Sequence, residues 1–174
     1  MIAAVVLAAG AATRFGAPKQ RLLLGEVLAP LAESPVDEIV VVQGAFSLEL
    51  PDCLAVPVRL VECADWELGP GASLRCGLGA LSAGTEAAVV VLADGPDLAA
   101  EAVSRVLDRW RTADGVVAAS YRGSRGHPLV LGSDAWGDIP DEGLRRREIT
   151  LVPCDDLGAP GDVDEPADLP PRLR

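Results

Sequence analysis

Ile2-Ala-Ala-Val-Val-Leu7-Ala-Ala-Gly10-Ala-Ala-Thr-Arg14-Phe-Gly-Ala-Pro-Lys19 runs from an unbroken apolar stretch straight into glycine and other small residues. Ile2–Leu7 shows no alternation of polar and apolar positions, as expected of a strand buried on both faces of a parallel sheet. After Leu7 or Ala8 the small residues fill a turn. They let backbone N–H groups approach an anion closely and converge on one concavity. Arg14 and Lys19 sit in the same loop, the first able to grip phosphate oxygens with two parallel bonds and the second acting as a point charge. The loop therefore reads as a phosphate cradle. It fits neither G-x-G-x-x-G, since Gly10 and Gly16 have the wrong spacing, nor the G-K-[ST] of a Walker A loop.

Similar apolar runs recur at Glu38–Val42, Val58–Val61, Ala88–Leu92, Val116–Ser120 and Ile149–Val152. Helical patterns lie between several of them. Ser73–Leu81 carries Leu74, Leu78 and Leu81 on one face, with Ser73 available as N-cap. Ala99–Arg111 carries Val103, Val106, Leu107 and Trp110 at helical spacing, with Arg109 and Arg111 at its end. A helix over Leu22–Glu33 is interrupted by Pro30. Strands alternating with helices predict a three-layer α/β/α domain around a mostly parallel sheet, with ligands at the C-terminal ends of the strands. The 174 residues fit one domain, 1–174. Pro170–Arg174 reads as a frayed end.

The formal net charge of −11 disfavours nucleic acid and membrane surfaces as partners. A protein of this charge that handles an anionic ligand must concentrate positive charge locally or recruit metal, and Arg14 and Lys19 supply the first. Asp94, just beyond the run ending at Leu92, places a carboxylate where a parallel sheet binds ligands, and one carboxylate plus phosphate oxygens suits Mg²⁺. A second acidic cluster lies at Asp162-Val-Asp164-Glu-Pro-Ala-Asp168, in which Asp168 reads as part of the first turn of a short terminal helix. His127, the sole histidine, reads as structural. Cys53, Cys63, Cys76 and Cys154 form no C-x-x-C pair and read as reduced thiols. The apolar N-terminal run is too short for a membrane span and lacks signal-peptide flanks, so the expected location is cytoplasmic.

The passage LAAGAATRFGAPK resembles the L-A-A-G-x-S-x-R-[FM]-G-x-x-K signature of the MobA-like NTP transferases, with Ala12 in place of the usual Ser. That family includes molybdenum-cofactor cytidylyl- and guanylyltransferases and relatives acting on sugar phosphates or terpenoid alcohols. Asp94 in Leu92-Ala-Asp-Gly-Pro and Asp164 in Asp162-Val-Asp-Glu-Pro-Ala-Asp168-Leu match its metal-binding motifs. Gly69–Gly77 is similar to its G-x-x-x-S-L-R-x-G-L segment, and Gly126-His-Pro128 to a segment of the cytidylyltransferase branch. The resemblance implies a Rossmann-like nucleotidyltransferase with Arg14, Lys19 and Asp94 as catalytic residues. Leu7, Ala8, Ala9, Gly10, Arg14, Lys19, Gly44 and Ser73 would contact the nucleotide, and Asp94 and Asp164 would hold Mg²⁺. It implies NMP transfer from CTP or GTP to a small phosphorylated acceptor, CTP and a molybdopterin being favoured, with release of pyrophosphate. A molybdoenzyme or cofactor-insertion protein is then a candidate partner. Gly95, where the family usually has Gln or Met, would open the acceptor pocket, and the Lys19–Asp37 segment, with only Leu22–Glu33 of a fuller helix, would be either trimmed or diverged. A sugar phosphate or phospholactate acceptor, or a non-catalytic nucleotide-binding module, remain alternatives.

Overall fold

The computed structural model describes residues 1–52 and 54–174; Cys53 lies outside the described residues. A seven-stranded sheet runs through the molecule in the order β3-β2-β1-β4-β6-β5-β7. Its strands are β1 (Ile2–Leu7), β2 (Glu38–Gln43), β3 (Val58–Glu62), β4 (Ala87–Leu92), β5 (Val116–Tyr121), β6 (Ser124–Gly132) and β7 (Ile149–Pro153). The longer helices are α1 (Lys19–Ala32), α2 (Pro70–Gly79) and α3 (Ala100–Trp110). All strand pairs are parallel except β4–β6 and β5–β6, so β6 alone runs against the rest. The apolar runs became the strands they predict.

Successive side chains of a strand point to opposite faces, and the two cores divide accordingly. Ala4 and Val6 of β1 pack with Leu24, Val27 and Leu28 of α1 and Val103, Val106 and Leu107 of α3. Val5 packs on the other face with Leu74 and Leu78 of α2 and Ile139 and Leu144 of the loop before β7. The three layers follow from this division.

Four expectations need correction. Helix α1 begins at Lys19, three residues before Leu22, and its 14 residues are not broken at Pro30. The proline lies in the last turn, where Glu33 N–H still reaches Ala29 O and Ser34 Oγ donates to Pro30 O at 2.7 Å. The ring therefore weakens only a turn that is already ending. Ser73 is not the N-cap of α2: Pro70 starts the helix, its fixed φ suiting the first helical position, with Gly69 at the cap and Ser73 buried one turn in. The strand β6 was not predicted from the pattern. It returns from β5 through Arg122-Gly123, both at positive φ (52° and 75°), the geometry of a tight hairpin. Last, the C-terminal residues are not frayed. Pro171–Leu173 form a short turn in which Arg172 binds Glu26 of α1, Asp97 and Pro96 O.

Among the described residues no helix is long and apolar enough to cross a membrane, and Cys63, Cys76 and Cys154 are free thiols.

Helix α2 lies close beneath the 139–144 loop. A Cβ on Gly71 would fall 1.8 Å from Pro140 O and 2.9 Å from Gly143 N, whereas one on Gly25, exposed in mid-α1, meets nothing within 4 Å. Gly71→Ala should therefore destabilise the fold by about 1–3 kcal/mol through overpacking. Gly25→Ala should stabilise it by about 0.5–1 kcal/mol through helix propensity. Urea midpoints of the two variants, moving in opposite directions, check both.

Candidate active site

Strands β1 and β4 pair in register from Ile2↔Ala87 to Leu7↔Leu92, so they end flush. The loops that leave them, one carrying Arg14 and Lys19 and the other Asp94, consequently emerge side by side. Ala93 N–H donates to Leu7 O at 3.1 Å and holds the two exits together. The segment before the C-terminus crosses the same edge: Val163 N–H donates to Asp94 O at 3.0 Å and Asp97 N–H to Pro160 O at 2.8 Å. That crossing brings Asp164 to the cradle.

These elements line a cavity of about 240 Å³ formed by Leu7, Gly10, Ala12, Thr13, Arg14, Lys19, Gln20, Ala93, Asp94 and Asp164. Lys19 is 8% exposed at its side chain. Its Nζ lies 3.0 Å from Asp94 Oδ2 and 3.7 Å from Asp164 Oδ1, and it also donates to Val163 O. Arg14 meets Asp164 through both nitrogens, Nη2 at 2.7 Å from Oδ1 and Nη1 at 2.6 Å from Oδ2. Two cations thus balance two carboxylates at one point of a strongly acidic protein. The N-terminus of α1 opens on this cavity and adds its own positive end.

Asp168 forms a short turn with Pro166, as its sequence position suggests, and its Oδ2 accepts from the N–H groups of Asp164 (3.1 Å) and Glu165 (2.8 Å). Its role is to fix the backbone that presents Asp164. Desolvation, and after it the carboxylates of Asp94 and Asp164, push the Asp162 carboxyl up from its ordinary value.

The donor set was tested for a divalent cation. Asp94 Oδ1 is buried with no protein partner, a costly arrangement for a carboxylate oxygen that nothing donates to. Among the described residues no three His, Cys, Asp or Glu side chains converge as a metal cage. Two carboxylates, one with a spare oxygen, fit a hard cation that takes few protein ligands and completes its shell with phosphate and water.

Other expected contacts lie around a second cavity, of about 300 Å³, lined by Leu7, Ala9, Gly10, Trp66, Glu67, Gly69, Pro70, Ser73 and Leu92. Gly44 supports its wall. A Cβ there would lie 2.5 Å from the Trp66 ring, so the indole closes on bare backbone. Ala8, 4% exposed, belongs to the core between sheet and α1. A Cβ on Gly95 would press on Pro160 at 3.1 Å, so the glycine makes room for the crossing segment, and it lines a small cleft with Leu92 and His127.

Sequence reading missed Gln20 and Trp66. Gln20 Nε2 donates to Gly10 O at 2.8 Å and braces the glycine turn, while its Oε1 is buried without a partner. Its position directly after Lys19 was the available signal. Trp66 lies in a loop with no helical or strand periodicity to place it.

A doubly wound sheet with one reversed strand thus sets a cationic β1 loop against carboxylates from β4 and from the C-terminal segment. The sequence pattern of the MobA-like NTP transferase domain matches residues 4–150, and the chain belongs to that family. Among solved structures it is similar to a homologue of Mycobacterium tuberculosis Rv0371c from Mycobacterium sp. strain JC1, at 27% identity over 96% of this chain and 92% of that one, TM-score 0.76. Rv0371c of M. tuberculosis H37Rv, solved as a complex with manganese, is 25% identical over 96% and 95% of the two chains, TM-score 0.71. A nucleotidyl transferase from Methanothermobacter thermautotroptrophicus shares the fold at 23% identity over 97% and 94%, TM-score 0.72. No curated protein matches the chain.

Removing the ammonium leaves Asp94 and Asp164 facing each other without their shared countercharge. Lys19→Met should cost about 1–3 kcal/mol, below the ~3–5 kcal/mol of a fully buried pair because both carboxylates keep part of their solvent. Denaturant unfolding at neutral pH measures it.

Proposed function

We propose that this nucleotidyltransferase, acting as one domain over residues 1–174, passes the NMP part of a nucleoside triphosphate to a phosphorylated small acceptor in the cytoplasm. CTP is the favoured donor and a molybdopterin-like compound the favoured acceptor. The observation that carries the reading is the meeting of Lys19 Nζ with Asp94 and Asp164 at 3.0 and 3.7 Å in the cavity that also holds Arg14.

In this mechanism an oxygen of the acceptor phosphate forms a bond to the α-phosphorus. The bond from that phosphorus to the bridging oxygen breaks, and pyrophosphate leaves with the electron pair. An anionic phosphate oxygen needs no base to activate it, so the protein's task is positioning and charge stabilisation. Arg14 and Lys19 bind non-bridging oxygens and take up charge developing on the leaving group. Gly10, braced by Gln20, and the N-terminus of α1 present N–H groups to the same oxygens. Leu7, Ala8 and Ala9 set the strand end from which this turn springs. Ser73, with the Trp66 wall that rests on Gly44, borders the space for base and ribose. Asp94 and Asp164 would hold Mg²⁺, which would supply charge neutralisation and Lewis acidity. The manganese complex of Rv0371c supports a divalent cation here.

The preference for CTP rests on the similarity of Gly126-His-Pro128 to the cytidylyltransferase branch, and a molybdoenzyme or cofactor-insertion protein would receive the product. A non-catalytic module draws on a shortened α1 and on Ala12; the helix runs unbroken for 14 residues, which leaves Ala12 as its support, and the joint presence of Lys19, Asp94 and Asp164 argues against it.

Pyrophosphate release measured with each of the four NTPs, Mg²⁺ and metal-loaded molybdopterin tests the reading. CTP should give the fastest release, and equal or greater release with another nucleotide would sink the cytidylyl assignment. Asp94→Ala should lower turnover at least ~100-fold with the fold intact by circular dichroism. Removal of divalent cation with a chelator should stop the wild type equally.

A further inference from the structure

A third lobe opens from the same edge. It shares Leu7 with the phosphate cavity and Leu92 with the Trp66 cavity, and encloses about 180 Å³. Leu74, Val90, Leu92, Leu129 and Leu144 make its walls. The five aliphatic side chains offer no partner to a hydroxyl, and an unpaired buried hydroxyl is costly; Glu142 and His127 are the polar side chains that line the lobe beside its two arginines. The aliphatic walls suit the face of a ring.

The rim is cationic. Arg125, at the outer half of β6, and Arg145, in the loop above, both line the lobe. Their neighbours are paired, Arg75 with Asp141 at 2.6 Å and Arg146 with Glu142 at 4.0 Å. Among the described residues neither Arg125 nor Arg145 meets a carboxylate; Arg125 donates only to Leu144 O, at 2.8 Å. Two guanidinium groups without countercharge are unexpected in a chain with 26 acidic and 15 basic residues. Desolvation already lowers the Arg125 guanidinium from its ordinary value. Between the rim and Asp94 stands His127. Burial, and then Arg125, push its imidazole down to about 4, with Asp94 opposing more weakly. It is neutral at physiological pH, so it separates the arginines from the carboxylate without adding charge.

We propose that this lobe is the acceptor subsite and that it selects a compact phosphate monoester with a flat ring whose faces are apolar, its phosphate drawn to Arg125 and Arg145. The proposal rests on the transfer reading and narrows it: a polyhydroxylated sugar body would lie mainly against aliphatic wall, with Glu142 and His127 the polar side chains within the lobe besides the two arginines, and binds less well.

Phenyl phosphate, glucose 1-phosphate and phenol serve as probes, titrated calorimetrically into the full chain and into Arg125→Gln and Arg145→Gln. Phenyl phosphate should bind at least ~10-fold more tightly than phenol, because one ion-pair contact is worth about that factor, and more tightly than glucose 1-phosphate, whose hydroxyls lose water against the aliphatic walls. Each variant should weaken it by a similar factor while CTP with Mg²⁺ binds all three proteins alike. Binding of phenyl phosphate that is absent, unchanged in both variants, or matched by glucose 1-phosphate would overturn the proposal. CTP binding with Mg²⁺ that persists in those cases leaves the transfer reading standing. Failure of CTP to bind while phenyl phosphate binds in an Arg125-dependent way would overturn the transfer reading and leave the anion subsite.

Discussion

A buried ammonium cannot stand alone, and Lys19 is 8% exposed. Taking it out of water is tolerable only if carboxylates and a carbonyl meet it, and the chain brings these from far away. Asp94 lies 75 residues on, and Val163 O lies 144 residues on. The charge at the start of α1 thus ties together the exit of β1, the exit of β4 and the segment that crosses both. Once that tie is made, the C-terminal turn is bound as well, since Leu169 and Leu173 pack with Phe15, Leu23 and Val163 beneath the cradle. The phosphate loop is held from below by the end of the chain and from the side by Asp94.

The same tie resolves a conflict posed by composition. A net charge of −11 should repel a polyphosphate. At the cavity, though, the local sum is close to balance, two cations against two carboxylates, with a helix N-terminus added. Long-range repulsion decays within a Debye length of about 8–10 Å, whereas contacts of 3 Å inside a partly enclosed cavity do not. Local arrangement therefore outweighs the overall charge, while the acidic remainder still disfavours large polyanions.

Much of this was legible in the sequence because it is local. The runs of Val and Ala gave six of the seven strands, and the cations beside Gly10 gave the cradle. The strand β6 escaped because its outer half, Ser124–His127, is polar and Pro128 argues against a central strand. Only the pairing of Val89 with Val130 and of Val117 with Val130 on its two sides makes it one. The start of α1 escaped because Lys19 looked like a loop residue, when it is both loop cation and first residue of the helix. Trp66 and Arg125 could not be found at all. Each matters through a neighbour remote in sequence, the bare backbone of Gly44 for one and an apolar lobe assembled from α2, β4 and β6 for the other.

Two buried oxygens without a protein donor, Gln20 Oε1 and Asp94 Oδ1, both belong to residues lining the phosphate cavity. Each costs on the order of 1–3 kcal/mol until something donates to it, and phosphate oxygens at neutral pH are acceptors too. A polyphosphate entering alone would set acceptor against acceptor at both points, leaving Lys19 and Arg14 to serve the phosphates and the two carboxylates at once. Asp94 and Asp164 would hold a divalent cation that entered with it, and its positive charge would meet Asp94 Oδ1. On the proposed reading, such a cation would answer the acceptor inventory of the cavity, and Lys19 and Arg14 would then serve the phosphates with less competition from the two carboxylates.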